Sequence, residues 1–162
     1  MALALLPGCW EEQPRARDLH YFFTGLERNE CPSKWPAVCS SGRPRGLHIN
    51  KYLEGRALDH SIQLCQRQLD TGKPGLFHSS LAAQYGGEAW RGLGENVGYS
   101  SVVGNDIDAA ALRVWSGLMN SKGHRENILA YKWHDTGVGA ILCSDDKRGT
   151  KTLYYTQAFR QR

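Results

Sequence analysis

Three side chains able to bind a metal ion or move a proton stand in three separate short motifs: His78 in Leu76-Phe77-His78-Ser79-Ser80, Glu95 in Gly94-Glu95-Asn96-Val97, and His124 in Asn120-Ser121-Lys122-Gly123-His124-Arg125-Glu126-Asn127-Ile128-Leu129. Two neutral imidazoles and a carboxylate are donors that zinc or another divalent ion accepts, and the same trio can act as an acid/base cluster. Glycines next to Glu95 and His124 let the backbone turn tightly there. The spacing alone is a weak signal. There is no His-x-x-x-His pair, and a lone histidine is more often a satisfied polar residue than a ligand. Other enzyme signatures are missing: Gly98-Tyr99-Ser100-Ser101-Val102 lacks the second glycine of a nucleophile elbow, and no phosphate loop or dinucleotide fingerprint occurs. Cys65 is a poor nucleophile, since a thiol on an apolar helix stripe has a raised pKa and little access.

The elements that must carry these residues follow from periodicity. From Pro14, Leu19, Phe22, Phe23 and Leu26 recur at helical spacing, with the proline acceptable in a first turn. Residues 30–46 break the pattern with three prolines, two glycines and two cysteines and read as a loop. Asn50 is a good N-cap for a second helix carrying Leu53, Ala57, Leu58, Ile62, Cys65 and Leu69 toward the core, and Asp70-Thr71-Gly72-Lys73-Pro74-Gly75 ends it. A third helix starts at Asn105 or Asp106, faces the core with Ile107, Ala110, Ala111, Val114, Trp115 and Leu118, and stops at Ser121-Lys122-Gly123. A short helical turn through Arg125 to Leu129 follows. Residues 137–143 and 152–159 form a hairpin about a polar turn, and residues 94–99 supply a further strand.

Taken in order, Phe77-His78-Ser79, Gly94-Glu95-Asn96, Ser121-x-Gly123-His124-Arg125-x-Asn127-Ile128-Leu129, Gly137-Val138-Gly139 and Tyr154-Tyr155-Thr156-Gln157-Ala158-Phe159 resemble the CAP superfamily. This is the group of cysteine-rich secretory proteins, antigen 5 and pathogenesis-related proteins, also called the SCP domain, and the likeness is to its bacterial branch. The resemblance covers about Asp18 to Phe159. It implies an α+β fold, a three-layer α-β-α sandwich with a small, mostly antiparallel sheet. It also implies a central cleft in which His78, Glu95 and His124 take the places of family residues that hold zinc or another divalent ion. The family's second acid has no clear counterpart, because Leu118 and Ser121 stand where many relatives have a tryptophan and an acid or serine. Ser121 and Gln157 join the cleft set; two readings of Gln157 are open, as a group orienting a cleft histidine and as a partner of buried backbone. Arg125 and Asn127 are expected to tie the Gly-His loop to the sheet.

At 162 residues, 41% hydrophobic and 22% charged, the chain is a single globular domain. Residues 14–162 form the expected domain, with a Cys/Pro-rich insertion at about 30–46, and residues 1–13 form a tail. The net charge of +4 comes from scattered Lys and Arg, so nucleic acid is not an expected partner. No segment is apolar for the roughly 20 residues a membrane-spanning helix needs. Five cysteines suggest an oxidising compartment. Leu6-Pro7-Gly8-Cys9 resembles a lipoprotein cleavage box, making Cys9 a possible lipid anchor and residues 1–13 the remnant of a signal peptide. The eight-residue separation of Cys31 and Cys39 across the Pro-rich loop allows them to pair, which leaves Cys65 and Cys143 as a second bridge or as buried thiols. The resemblance implies an exported binding module for a lipid, an envelope component or another protein. One alternative is a metal-dependent hydrolase or peptidase in which Glu95 is general base to a metal-bound water held by His78 and His124. A second is a purely structural envelope domain.

Overall fold

The computed structural model describes residues 10–162 apart from Arg43, Arg45, Glu88 and the side chain of Ser41. Strand β1 (Trp10–Glu12) is followed by helix α1 (Pro14–Lys34), a single 3-10 turn (Cys39–Ser41), β2 (His48–Ile49), α2 (Lys51–Thr71), α3 (Leu81–Tyr85), β3 (Gly92–Ser101), α4 (Ile107–Asn120), α5 (Lys122–Leu129), β4 (Asp135–Asp145) and β5 (Thr150–Gln161). The sheet runs β1-β4-β5-β3, with the two residues of β2 lying parallel to the start of β4. All other pairings are antiparallel. Among the described residues, strand β3 is paired along one edge only.

Strand alternation divides the side chains between two faces. Tyr154 and Ala158 of β5, with Ile141 and Cys143 of β4, pack under α2 and α3 beside Leu53, Ala57, Leu64 and Tyr85. Leu153, Tyr155 and Phe159, with Val138 and Ala140, pack on the other face against Ala16 of α1, the α4 stripe Ala110, Ala111, Val114, Trp115 and Leu118, and Ile128 of α5. The architecture is the expected α-β-α sandwich. Gly137 and Gly139 explain how tightly α2 sits on it: a Cβ at Gly137 would run into the backbone of Leu53 and Glu54, and one at Gly139 into Ala57 and Leu58. Ser61 of α2 also donates to the Gly139 carbonyl at 3.0 Å.

The helix ends follow their caps. Asn50 accepts from the Leu53 amide at 3.0 Å, Gly72 ends α2 in the left-handed conformation with φ of 74°, and Asp106 accepts from the Ala109 amide at 2.9 Å. Both disulfides form, Cys31–Cys39 with Cα atoms 6.1 Å apart and Cys65–Cys143 at 5.5 Å.

Three elements differ from the expectation. Trp10–Glu12, placed in the tail, pairs with Ile141–Cys143, and the Gln13 amide donates to Ala140 O at 2.8 Å. Helix α1 also runs through the start of the expected loop, to Lys34. Pro32 sits in its last turns, where the missing amide costs one bond, and Glu27 holds that end by accepting from Lys34 Nζ at 2.5 Å and Trp35 Nε1 at 2.9 Å. The five-residue α3 has no counterpart among the expected elements. Cys9 and the rest of the apolar N-terminal segment lie outside the described residues. Among those described, no helix is long and apolar enough to cross a membrane.

Candidate functional site

Glu95 lies near the start of β3 and faces the α2/α3 layer with its side chain 1% exposed, whereas His78, on the segment after α2, is 61% exposed. One carboxylate oxygen of Glu95 accepts from the Ser79 amide at 3.0 Å and lies 3.0 Å from His78 Nδ1. The other accepts from the Ser79 hydroxyl at 2.6 Å and from the Tyr85 hydroxyl at 2.5 Å. Burial pushes the Glu95 carboxyl up, but the Ser79 and Tyr85 donors outweigh it and hold the group below the usual carboxylate range. Burial beside that carboxylate raises the Tyr85 phenol, which stays a proton donor. Glu95 is thus ionised and fully engaged, and the imidazole it meets is fixed with Nδ1 inward and Nε2 outward.

Behind this group sits His60 of α2, wholly buried, its Nε2 3.0 Å from the Phe77 carbonyl and 3.8 Å from the Glu95 carboxylate. Neither His60 nor Tyr85 stands in the motifs that carry His78, Glu95 and His124. A signal existed for His60, which falls on the buried stripe of Leu53, Ala57 and Leu64.

His124 reaches the same region from the other layer. It stands in the first turn of α5; Asn96 Nδ2 donates to its carbonyl at 3.1 Å, and Asn127 Nδ2 donates to Asn96 Oδ1 at 3.0 Å. Burial lowers the His124 pKa, and the nearby His78 lowers it further. Thus β3 joins the site, with Glu95 turned to one layer and Asn96 to the other. Beside its outer half lies a cleft of about 220 Å³ lined by Leu76, Val97, Tyr99, Val114, Leu118 and other residues, with Ser121 and His124 at its polar end. Asn127 does tie the loop to the sheet. Arg125 instead donates to the Met119 carbonyl at 2.7 Å, joining α5 to the end of α4, and stacks on Trp35.

Gln157 lies away from these residues. Its amide oxygen is 2.8 Å from His20 Nε2, and its nitrogen faces the hydroxyls of Thr24 and Thr136 at 3.3 and 3.4 Å. It orients a histidine, but a buried one of α1. Among the described residues, no group of three or more His, Cys, Asp or Glu side chains is arranged to hold a metal ion.

The order of the motifs and this sandwich define a family. The model of the cysteine-rich secretory protein family, CAP, matches residues 40–159, and the chain belongs to that family. Its fold is similar to that of an outer surface protein from Borrelia burgdorferi, with a TM-score of 0.64 at 13% identity, over 94% of this chain and 98% of that one. No curated protein matches the chain in sequence.

Proposed function

We propose that this is an exported binding module whose central cleft takes the apolar part of a lipid-like ligand, with Ser121 and His124 meeting its polar part and Glu95 holding His78 in place. The observation that carries this reading is the mismatch between the walls and the carboxylate. Apart from Arg113, which is bonded to Ser100 and the Ser101 carbonyl, the cleft is walled by Leu76, Val97, Tyr99, Val114 and Leu118, whereas the one acid is occupied by four protein contacts. An apolar recess with a few placed polar groups suits ligand binding. A carboxylate already saturated by donors is ill suited to take a proton from water, which weighs against the hydrolase reading.

For a divalent ion such as zinc, His78 and His124 are the nitrogen donors we propose, with Glu95 behind His78 as the carboxylate that orients a liganding imidazole. Two imidazoles fit an open site whose other positions are filled by water, and the bound ion would supply Lewis-acid character there. The two disulfides and the family support an extracytoplasmic setting, since such bridges persist in oxidising compartments. The reading includes a lipid anchor at Cys9.

Organic extraction and mass spectrometry of protein isolated from its host tests the ligand. Gly117 lines the cleft and has open space at its Cβ position, so Gly117→Phe should fill the cleft without disturbing the core. Co-purifying lipid on the natural protein and none on Gly117→Phe is the expected result. Equal occupancy, or none on either, overturns the binding reading and leaves the structural one. Loss of zinc-induced thermal stabilisation in His124→Ala is expected if the imidazoles hold an ion.

A further inference from the structure

An apolar recess separate from the cleft lies by the opposite edge of the sheet, between the C-terminal half of α2, the start of β1 and the β4–β5 turn. It encloses about 320 Å³, within the range of small-molecule sites. Ile62, Cys65 and Leu69, at helical spacing on α2, form its floor, and Trp10 closes one end. Asp70 from α2 and Asp145 and Asp146 from the turn line it with Lys147, and the Arg148 guanidinium packs against Gly72 at the end of α2. Asp145 is buried and ion-paired to Arg148 at 2.7 Å. Asp70 accepts only a neutral contact, from Gln66 Nε2 at 2.9 Å. Asp70 and Asp146 have no cationic partner within 4.0 Å among the described residues.

Two further features give this recess the same sign. Asp70 stands in the last turn of a 21-residue helix, whose C-terminal carbonyls carry partial negative charge. Trp10, which lines the recess, brings an indole, the ring type that best receives a cation. The local charge runs against a chain whose net charge is +4, so it does not reflect bulk composition.

We propose that this recess is a second ligand site, for an amphipathic organic cation: an ammonium head set between Asp70, Asp146 and Trp10, and a short alkyl chain over Ile62, Cys65 and Leu69. The apolar floor removes the chain from water, and two carboxylates without cationic partners select the sign of the head. This site stands apart from the cleft and does not depend on what the cleft binds.

Titration calorimetry with octyltrimethylammonium below its micelle concentration tests the proposal on the full chain. One-to-one binding is expected, weakened at least about tenfold in the exposed double variant Asp70→Asn/Asp146→Asn, as loss of two nearby charges in a partly desolvated site requires. Octanoate should bind far more weakly, tetramethylammonium should show the tail to be needed, and His124→Ala should bind as the natural protein does. Leu69→Trp, which fills the floor, should abolish binding. Equal affinity for octanoate, or an unchanged affinity in the double Asn variant, overturns the proposal.

Discussion

His20→Phe should flatten the acid side of the stability curve. His20 is buried, edge-on to Trp115 and tilted against Tyr155 with both ring centroids 5.0 Å away, and its Nε2 faces the Gln157 amide oxygen. Burial drives its pKa from 6.5 down to about 4, and the Gln157 bond offsets only part of that. The unfolded chain therefore binds the proton more readily. Stability is full above the unfolded value of 6.5 and is lost as the pH falls from 6.5 toward 4. At about 1.4 kcal/mol per pH unit, the loss is about 2 kcal/mol by about pH 5 and about 3 kcal/mol below pH 4. Glu54 and Glu95 have pKa values lowered from 4.5, so their losses set in near that unfolded value and grow below it, almost wholly beneath the pH 5 condition. His124 adds a change of the same sign as His20. Urea unfolding at about pH 7.5 and about pH 5 isolates the effect, because phenylalanine keeps the ring packing, and leaving the Gln157 oxygen without its donor costs the same at both pH values. The natural protein should lose about 2 kcal/mol more than the variant between the two conditions. Equal losses would refute the reasoning, as would an NMR titration placing the His20 imidazole near 6.5.

Glu95→Gln removes an acceptor that four contacts converge on, and should cost about 2 to 4 kcal/mol in chemical unfolding while freeing the His78 ring, visible as NMR line narrowing. Gly139→Ala pushes a methyl group into the backbone of α2 and should lower stability by about 3 kcal/mol or more, with the loss spread over α2 and β4 in hydrogen exchange. Replacing Cys65 and Cys143 together by serine opens a loop with a sequence separation of 78 and should cost about 4 kcal/mol on the chain-entropy account. A midpoint unchanged by that double variant would show the bridge to be absent in solution.

How far the sequence speaks depends on whether a residue's role is set locally. Helix α2 was legible from Asn50 to Gly72 because its cap, its stripe and its left-handed stop are all written within the element. The hairpin of β4 and β5 was legible for the same reason, and His78, Glu95 and His124 each stand in a compact motif. Strand β1 was not, since Trp-Glu-Glu has no strand pattern of its own and is extended only because β4 is beside it. Tyr85 was missed because α3 is too short to form on propensity and is fixed by packing. Gln157 shows the limit of periodicity: alternation gives its face, but its partner, His20, is 137 residues away. His60 was readable as buried from its register on α2, yet nothing local tells that the Glu95 carboxylate lies 3.8 Å from its ring.

The bridge between Cys65 and Cys143 closes a covalent ring that contains His78, Glu95 and His124. A protease that cuts the chain once between α3 and β3 would leave His78 on one fragment and Glu95 and His124 on the other, with the bridge still joining the two. The β1–β4 ladder, the Glu95 contacts with His78, Ser79 and Tyr85, and the packing of α2 on β4 would then hold the nicked halves in register. For a domain exposed to hydrolytic surroundings, this makes the cleft tolerant of a cut that would scatter its parts in a reduced chain. On a gel such a molecule runs intact until reductant is added.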